Sequence, residues 1–263
     1  MTFPVRISVG DMQLHFKATG SGPAVILLHG LLGSLDNWHP VAQRLAGRFQ
    51  VFAVDQRNHG QSPHSADMNF PLMAEDLNEF LVMQDISRAV VIGHSMGGKT
   101  AMQFALQFPG KVEKLLVEDI APRAYRRSHD RIFAALLALD LAAFESRPDI
   151  EHALAPEIPS LLLRRFLLKN LGRAGDGKLF WKINLRGLAE NYPQLVEPVS
   201  HALPFEKPTL FIRGGKSDYL TADDERLIRQ LFPQAVIKTI ADAGHWIHAD
   251  RLEAFLALTL DFL

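Results

Sequence analysis

The 263-residue chain contains no cysteine, which excludes disulfides, thiolate nucleophiles and Cys-ligated zinc or iron-sulfur centres. It lacks an excess of charge of either sign: 28 Lys and Arg stand against 29 Asp and Glu, a formal net charge of −1. No overall field draws such a chain to nucleic acid or to an anionic membrane surface. Long hydrophobic runs are missing too. No stretch of about 18 apolar residues could span a bilayer, and Met1 to Gly10 has neither the basic start nor the apolar run of an export signal. No HExxH pair points to a metal. The expectation is a cytoplasmic protein, a monomer or small homo-oligomer, without metal or cofactor. Its partner is expected to be a small molecule, not nucleic acid or membrane.

What is present suits a folded α/β chain. At 48% hydrophobic, a chain of this length can bury roughly three quarters of its unfolded surface. Apolar runs rich in Val, Ile and Leu recur at Ala24 to His29, Phe49 to Asp55, Ala89 to Gly93, Lys114 to Asp119, Thr209 to Arg213 and Ala235 to Ile240, the pattern of buried parallel strands. Between them, Phe70 to Met83 and Ser95 to Phe108 carry apolar residues at the helical period. Strand, helix, strand repeated predicts a mostly parallel central sheet with helices on both faces. Arg6 to Val9 and Met12 to Ala18, parted by Gly10-Asp11, read as an antiparallel hairpin at the sheet edge. Near the end, Thr221 to Phe232, with Thr221 and Asp224 as a capping box, and His248 to Leu263 read as amphipathic helices.

The alternation stops at Pro122 and resumes near Pro208. The 83 residues from Pro122 to Pro204 show helix-like patterns, no convincing strand, and repeated Pro and Gly. The expected organisation is therefore a core of residues 1–121 and 205–263, with residues 122–204 as a helical cap over the C-terminal edge of the sheet.

The chemistry is concentrated at Gly93-His94-Ser95-Met96-Gly97-Gly98, set between an apolar strand and a helical pattern. A GxSxG run in that context is a nucleophile elbow: the chain turns so sharply at the serine that only small residues fit at 93 and 97, and the hydroxyl stands above the sheet. A serine needs a base within hydrogen-bond reach, oriented by a third group. Of eleven His, His245 lies between the last strand and the last helix, in the chain order serine then histidine. His94 should point away from its neighbour, and His248 and His59 are the remaining alternatives for the base. The N–H groups of Leu31, in His29-Gly30-Leu31, and of Met96 are placed to receive a developing oxyanion. Asp55 and Arg57 are expected to tie their loop by an ion pair or backbone hydrogen bonds. Phe133, Phe144, Phe166, Phe180 and Trp181 should form the cap's own core and show apolar surface to an acyl group. Arg123, Arg126, Arg127 and Arg131, or Arg164, Arg165 and Lys169, suit a solvated helical face, with CoA phosphates as the alternative.

Gly93-His94-Ser95-Met96-Gly97-Gly98, His29-Gly30-Leu31-Leu32-Gly33-Ser34, Val54-Asp55-Gln56-Arg57-Asn58-His59-Gly60, Glu118-Asp119-Ile120-Ala121-Pro122 and Gly244-His245-Trp246 together resemble the α/β-hydrolase superfamily, and more narrowly its YbfF-type esterases. The resemblance implies an α/β-hydrolase fold with a helical cap. It implies hydrolysis of short- to medium-chain carboxylic esters, extending to acyl-CoA thioesters, through an acyl-enzyme and without a cofactor. Two residues compete as the acid. The general superfamily pattern places it after the next-to-last strand, at Asp218 in Gly214-Gly215-Lys216-Ser217-Asp218, whereas the YbfF-type pattern places it at Asp119, which is preferred here. Rival chemistries on the same parts are C–C bond hydrolysis, a menaquinone-pathway lyase and a cofactor-free perhydrolase. A non-catalytic ligand-binding receptor of the same fold is a further alternative. Ser95 stands where dehalogenases and epoxide hydrolases carry Asp, which disfavours those.

Overall fold

The computed structural model describes residues 12–263. Arg6 to Val9 lies outside the described residues, and with it the expected hairpin partner. From Met12 to Ala18 the chain enters β1 (Phe16–Thr19), which pairs antiparallel with the strand Gln50–Val54, Phe16 opposite Val54. The other sheet strands fall on the six apolar runs: β2 (Ala24–Leu28), β3 (Gln50–Val54), β4 (Ala89–His94), β5 (Val112–Glu118), and, after a long intervening segment, β8 (Thr209–Gly214) and β9 (Ala235–Ile240). The sheet order is β1-β3-β2-β4-β5-β8-β9, with every pairing parallel except β1 with β3.

The pleat explains why these runs are almost wholly apolar. Successive side chains point to opposite faces, and both faces are covered. Ile26 and Leu28 of β2 enter one core layer with α2 (Phe70–Met83), α3 (Met96–Gln107) and α8 (Glu225–Leu231). Val25 and Leu27 enter the other, with α1 (His39–Leu45), α9 (Ile247–Asp250) and α10 (Leu252–Phe262). The predicted C-terminal helix is thus two, broken at Arg251, where the backbone leaves the helical region at φ −141, ψ 56. The Thr221–Asp224 capping box is present and begins the turn that runs into α8.

Between β5 and β8 lie α4 (Asp130–Leu137), α5 (Arg147–Ala153), α6 (Leu161–Leu167) and α7 (Leu185–Leu195). They share a third apolar cluster, which Leu32, Met68, Phe70, Met73 and Met96 join from the sheet side. One expectation is corrected here. This segment also holds an antiparallel hairpin, β6 (Leu171–Arg173) and β7 (Leu179–Trp181). Gly172, Gly175 and Gly177 read as punctuation because the strands are three residues each. Gly177 turns the chain at φ 87, and a side chain at Gly172 would meet the ring of Phe180. Two such short strands give no detectable alternation.

Candidate active site

The C-terminal ends of β4 and β5 and the loops after β2, β8 and β9 meet at one cavity. At the end of β4 the backbone of Ser95 takes φ 52, ψ −118, a strained conformation for a residue with a side chain. It is held because its N–H donates to Glu118 O (3.0 Å) at the end of β5, while Ser95 O receives Lys99 N–H in the first turn of α3. A Cβ on Gly93 would lie 2.1 Å from Gly97 O, and one on Gly97 2.3 Å from Leu28 O. Both contacts are with backbone, which cannot yield, so glycine is required at each.

The fold brings His245 to that serine across 150 residues. Ser95 Oγ donates to His245 Nε2 (3.1 Å), and His245 Nδ1 donates to Asp119 Oδ2 (2.8 Å). Asp119 is fully buried and its backbone is left-handed, at φ 50. Its carboxylate accepts two further hydrogen bonds, at Oδ1 from the Gly214 N–H (2.8 Å) and at Oδ2 from the Ser217 hydroxyl. Of the two candidate acids, Asp119 is the one beside His245. Asp218 is exposed at the cavity wall and accepts Arg123 Nη2 through its backbone carbonyl.

The loop after β2 is fixed by two neutral histidines. Burial pushes His29 down to about 4 and His59 down to about 3, the latter with help from the nearby His29 ring. Neutral His29 donates from Nδ1 to Gly30 O and accepts Gln56 N–H at Nε2. Neutral His59 donates from Nδ1 to Arg57 O and accepts Leu32 N–H at Nε2 (3.1 Å). Gly30 is packed so closely on the elbow that a Cβ would lie 2.9 Å from His94 Nδ1 and 3.3 Å from Ser95 Cβ. Leu31 and Met96 therefore flank Ser95 on the wall of one cavity. Met96 opens α3, where N–H groups have no acceptor within the helix.

The neighbouring candidates His94 and His248 are otherwise engaged. His94 donates from Nε2 to the His245 carbonyl (2.9 Å), steadying the loop that carries His245. His248 is buried against Glu118, with its backbone N–H and Nδ1 both on that carboxylate, and stacks on Trp38. Asp55 binds the N–H groups of Leu35 and Gln61, while Arg57 pairs with Asp76 in a buried two-pronged contact (2.6 and 2.6 Å), not with Asp55.

Two contributions to the site carried no sequence signal. The ring of Tyr219 stacks on His245, centroids 3.9 Å apart and planes 21° off parallel. His129, at the start of α4, lines the same cavity. Nothing in a lone Tyr or in one of eleven His marks either.

The cavity measures about 440 Å³, and its wall is largely apolar, with Ile120, Ile132, Leu163, Phe166, Leu195 and Trp246 among its lining. Phe133 packs within the third cluster, Phe144 and Trp181 against it, and Phe180 is exposed. Lys99 also lines the cavity. Its buried ammonium donates to Glu197 O (2.6 Å) under the ring of Tyr125, and burial pulls its pKa down to about 7. Three of the arginines form surface ion pairs, Arg127 with Asp130, Arg131 with Glu157 and Arg165 with Glu151, whereas Arg123, paired with Asp224, and Arg126 line the cavity. Among the described residues no group of three or more His, Asp or Glu converges to hold a metal, and no helix is long and apolar enough to cross a membrane.

Many known proteins are similar to this chain. The family described as the alpha/beta hydrolase fold matches residues 23–126. The mouse protein named sn-1-specific diacylglycerol lipase ABHD11 is 39% identical over 92% of this chain and 81% of its own. Esterase YbfF of Escherichia coli K12 is 38% identical over 88% of this chain and 89% of its own. Among solved structures, a marine microorganism esterase superposes with a TM-score of 0.94 at 45% identity, covering 96% of this chain and all of the other.

Proposed function

This chain belongs to the α/β-hydrolase family, in its YbfF-type esterase branch, and from that premise we propose that Ser95, His245 and Asp119 are its catalytic triad, with Leu31 and Met96 as oxyanion donors. It is a carboxylesterase-type serine hydrolase. What carries the residue assignment is the unbroken run of hydrogen bonds from Asp119 through His245 to Ser95, at 2.8 and 3.1 Å.

In this reading Ser95 Oγ attacks the ester carbonyl while His245 Nε2 takes its proton. The tetrahedral oxyanion is received by the N–H groups of Leu31 and Met96, each worth a few kcal/mol of barrier, about 3. Asp119 keeps the proton of His245 on Nδ1, so that Nε2 is free to accept, and stabilises the imidazolium that forms. The same Nε2–H then protonates the departing alcohol. Water, activated by His245, attacks the acyl-Ser95 ester and frees the acid. A thiol leaves by the same route, so the proposal extends to acyl thioesters. Residues 122–204 act as a cap whose apolar lining receives a short- to medium-chain acyl group, over a core of residues 1–121 and 205–263. A cytoplasmic setting belongs to the same reading.

The test pairs a fluorophosphonate probe with p-nitrophenyl esters of rising acyl length, run beside acyl-CoAs. The expected outcome is stoichiometric labelling at Ser95, turnover of the esters, and loss of both in Ser95→Ala. Turnover no higher than that variant, or a label on another residue, would refute the assignment.

A further inference from the structure

The cap side of the cavity holds a polar cluster that the triad does not use. Tyr192 Oη lies 3.1 Å from the N–H of Ser128, 3.1 Å from the N–H of His129 and 2.8 Å from His129 Nδ1. A phenol oxygen has two acceptor sites and one proton to give. The two backbone N–H groups fill both acceptor sites, so the hydroxyl proton goes to Nδ1. The Ser128 hydroxyl, 3.2 Å from the same nitrogen, can only add a second donor there. His129 Nδ1 is therefore an acceptor, and the ring's own proton sits on Nε2. The imidazole is also held neutral, its pKa lowered by burial first and then by nearby His245.

The Nε2–H is on the far side of the ring from Tyr192 and meets no acceptor among the described residues, in a ring that lines the cavity shared with Ser95 and His245. A half-buried donor with a fixed tautomer beside an apolar pocket is suited to a polar atom of a ligand. We propose that His129 Nε2–H is a specificity-determining donor that recognises a second oxygen on the substrate, in addition to the scissile carbonyl. The substrate class is then an ester bearing another acceptor oxygen, either a hydroxyl on the alcohol side or a carbonyl on the acyl side. Tyr192 acts through His129 as a positioning residue. The inference rests on Ser95 and His245 being the ester-cleaving pair.

The test uses the full chain and three esters with closely matched skeletons: propyl butyrate, glycerol 1-monobutyrate (oxygen on the alcohol side) and propyl acetoacetate (oxygen on the acyl side). The wild type is expected to favour at least one oxygen-bearing ester in kcat/KM, and His129→Phe to lower that ratio to propyl butyrate about tenfold, the worth of one neutral hydrogen bond. Tyr192→Phe, which frees the ring to change tautomer, lowers the same ratio while keeping His129. In ¹⁵N-histidine-labelled protein, His129 is expected to show a protonated Nε2 and a bare Nδ1. Ratios equal to the wild type in both arms, a loss shared equally by propyl butyrate, or a protonated Nδ1 would overturn the inference. Hydrolysis of none of the three esters, with no fluorophosphonate on Ser95, would instead overturn the reading beneath it.

Discussion

Asp119→Asn separates the two candidate acids, and the structure dictates how the substitution acts. Asp119 Oδ1 accepts the Gly214 N–H, so in the variant the amide oxygen must stay at that position. The amide nitrogen then occupies the place of Oδ2, facing Ser217 Oγ and His245 Nδ1. With two hydrogens it donates to both. His245 must accept at Nδ1 and carry its proton on Nε2, where it cannot take the proton of Ser95. The chain is nearly isosteric and Asp119 is not part of the cavity wall, so KM should change little while kcat falls about 10⁴-fold, or about 5.4 kcal/mol of barrier. Asp218→Asn, at an exposed position that touches Arg123 only through its carbonyl, should stay within about twofold, as surface changes usually do. Steady-state hydrolysis of p-nitrophenyl butyrate measures both, with thermal melts to verify folding. Retention of more than a tenth of kcat by Asp119→Asn, with collapse in Asp218→Asn, would refute the reasoning.

Two further predictions test how the site is held. If Tyr219 supports His245 with its ring, Tyr219→Ala should lower kcat about fivefold, near the 1 kcal/mol of a cation–π contact to the imidazolium. Tyr219→Phe should remain within twofold; equal damage from both would transfer the role to the hydroxyl. The neutral histidines make stability sensitive to acid. His29 and His59 have folded values of about 4 and about 3 against an ordinary 6.5, so between about pH 4 and 6.5 the unfolded chain binds more protons and stability rises with pH. That stability is complete above pH 6.5. Urea unfolding at pH 7, 6 and 5 should show it falling toward acid, with a slope approaching 1.4 kcal/mol per pH unit for each histidine. A flat profile over that range would contradict two buried neutral rings.

Much of this site is legible in the sequence because its parts are fixed by local sterics. The elbow at Ser95 needs Gly93 and Gly97 whatever surrounds it, and buried strands need continuous apolar runs on both faces. What local pattern cannot supply is the choice among groups that meet only in three dimensions. Asp119 and Asp218 each follow a strand, and only the resemblance to YbfF-type esterases, not any local pattern, favours Asp119. The choice is made by where the loop after β8 lies. A Cβ on Gly214 would meet Gly244 O at 2.2 Å, one on Gly215 would meet Ala241 O at 2.4 Å, and Lys216 N–H donates to Ala243 O. The loops after β8 and β9 are thus joined backbone to backbone immediately before His245. In that position the end of β8 and its loop support the proposed acid–base pair three times over, with the Gly214 N–H, the Ser217 hydroxyl and the Tyr219 ring, while the Asp218 side chain makes no hydrogen bond to His245. A buried carboxylate arriving from β5 at φ 50 needs hydrogen-bond donors, and this loop provides two of them. The loop that carries the acid in the general superfamily pattern here supports the proposed acid, which comes from the neighbouring strand.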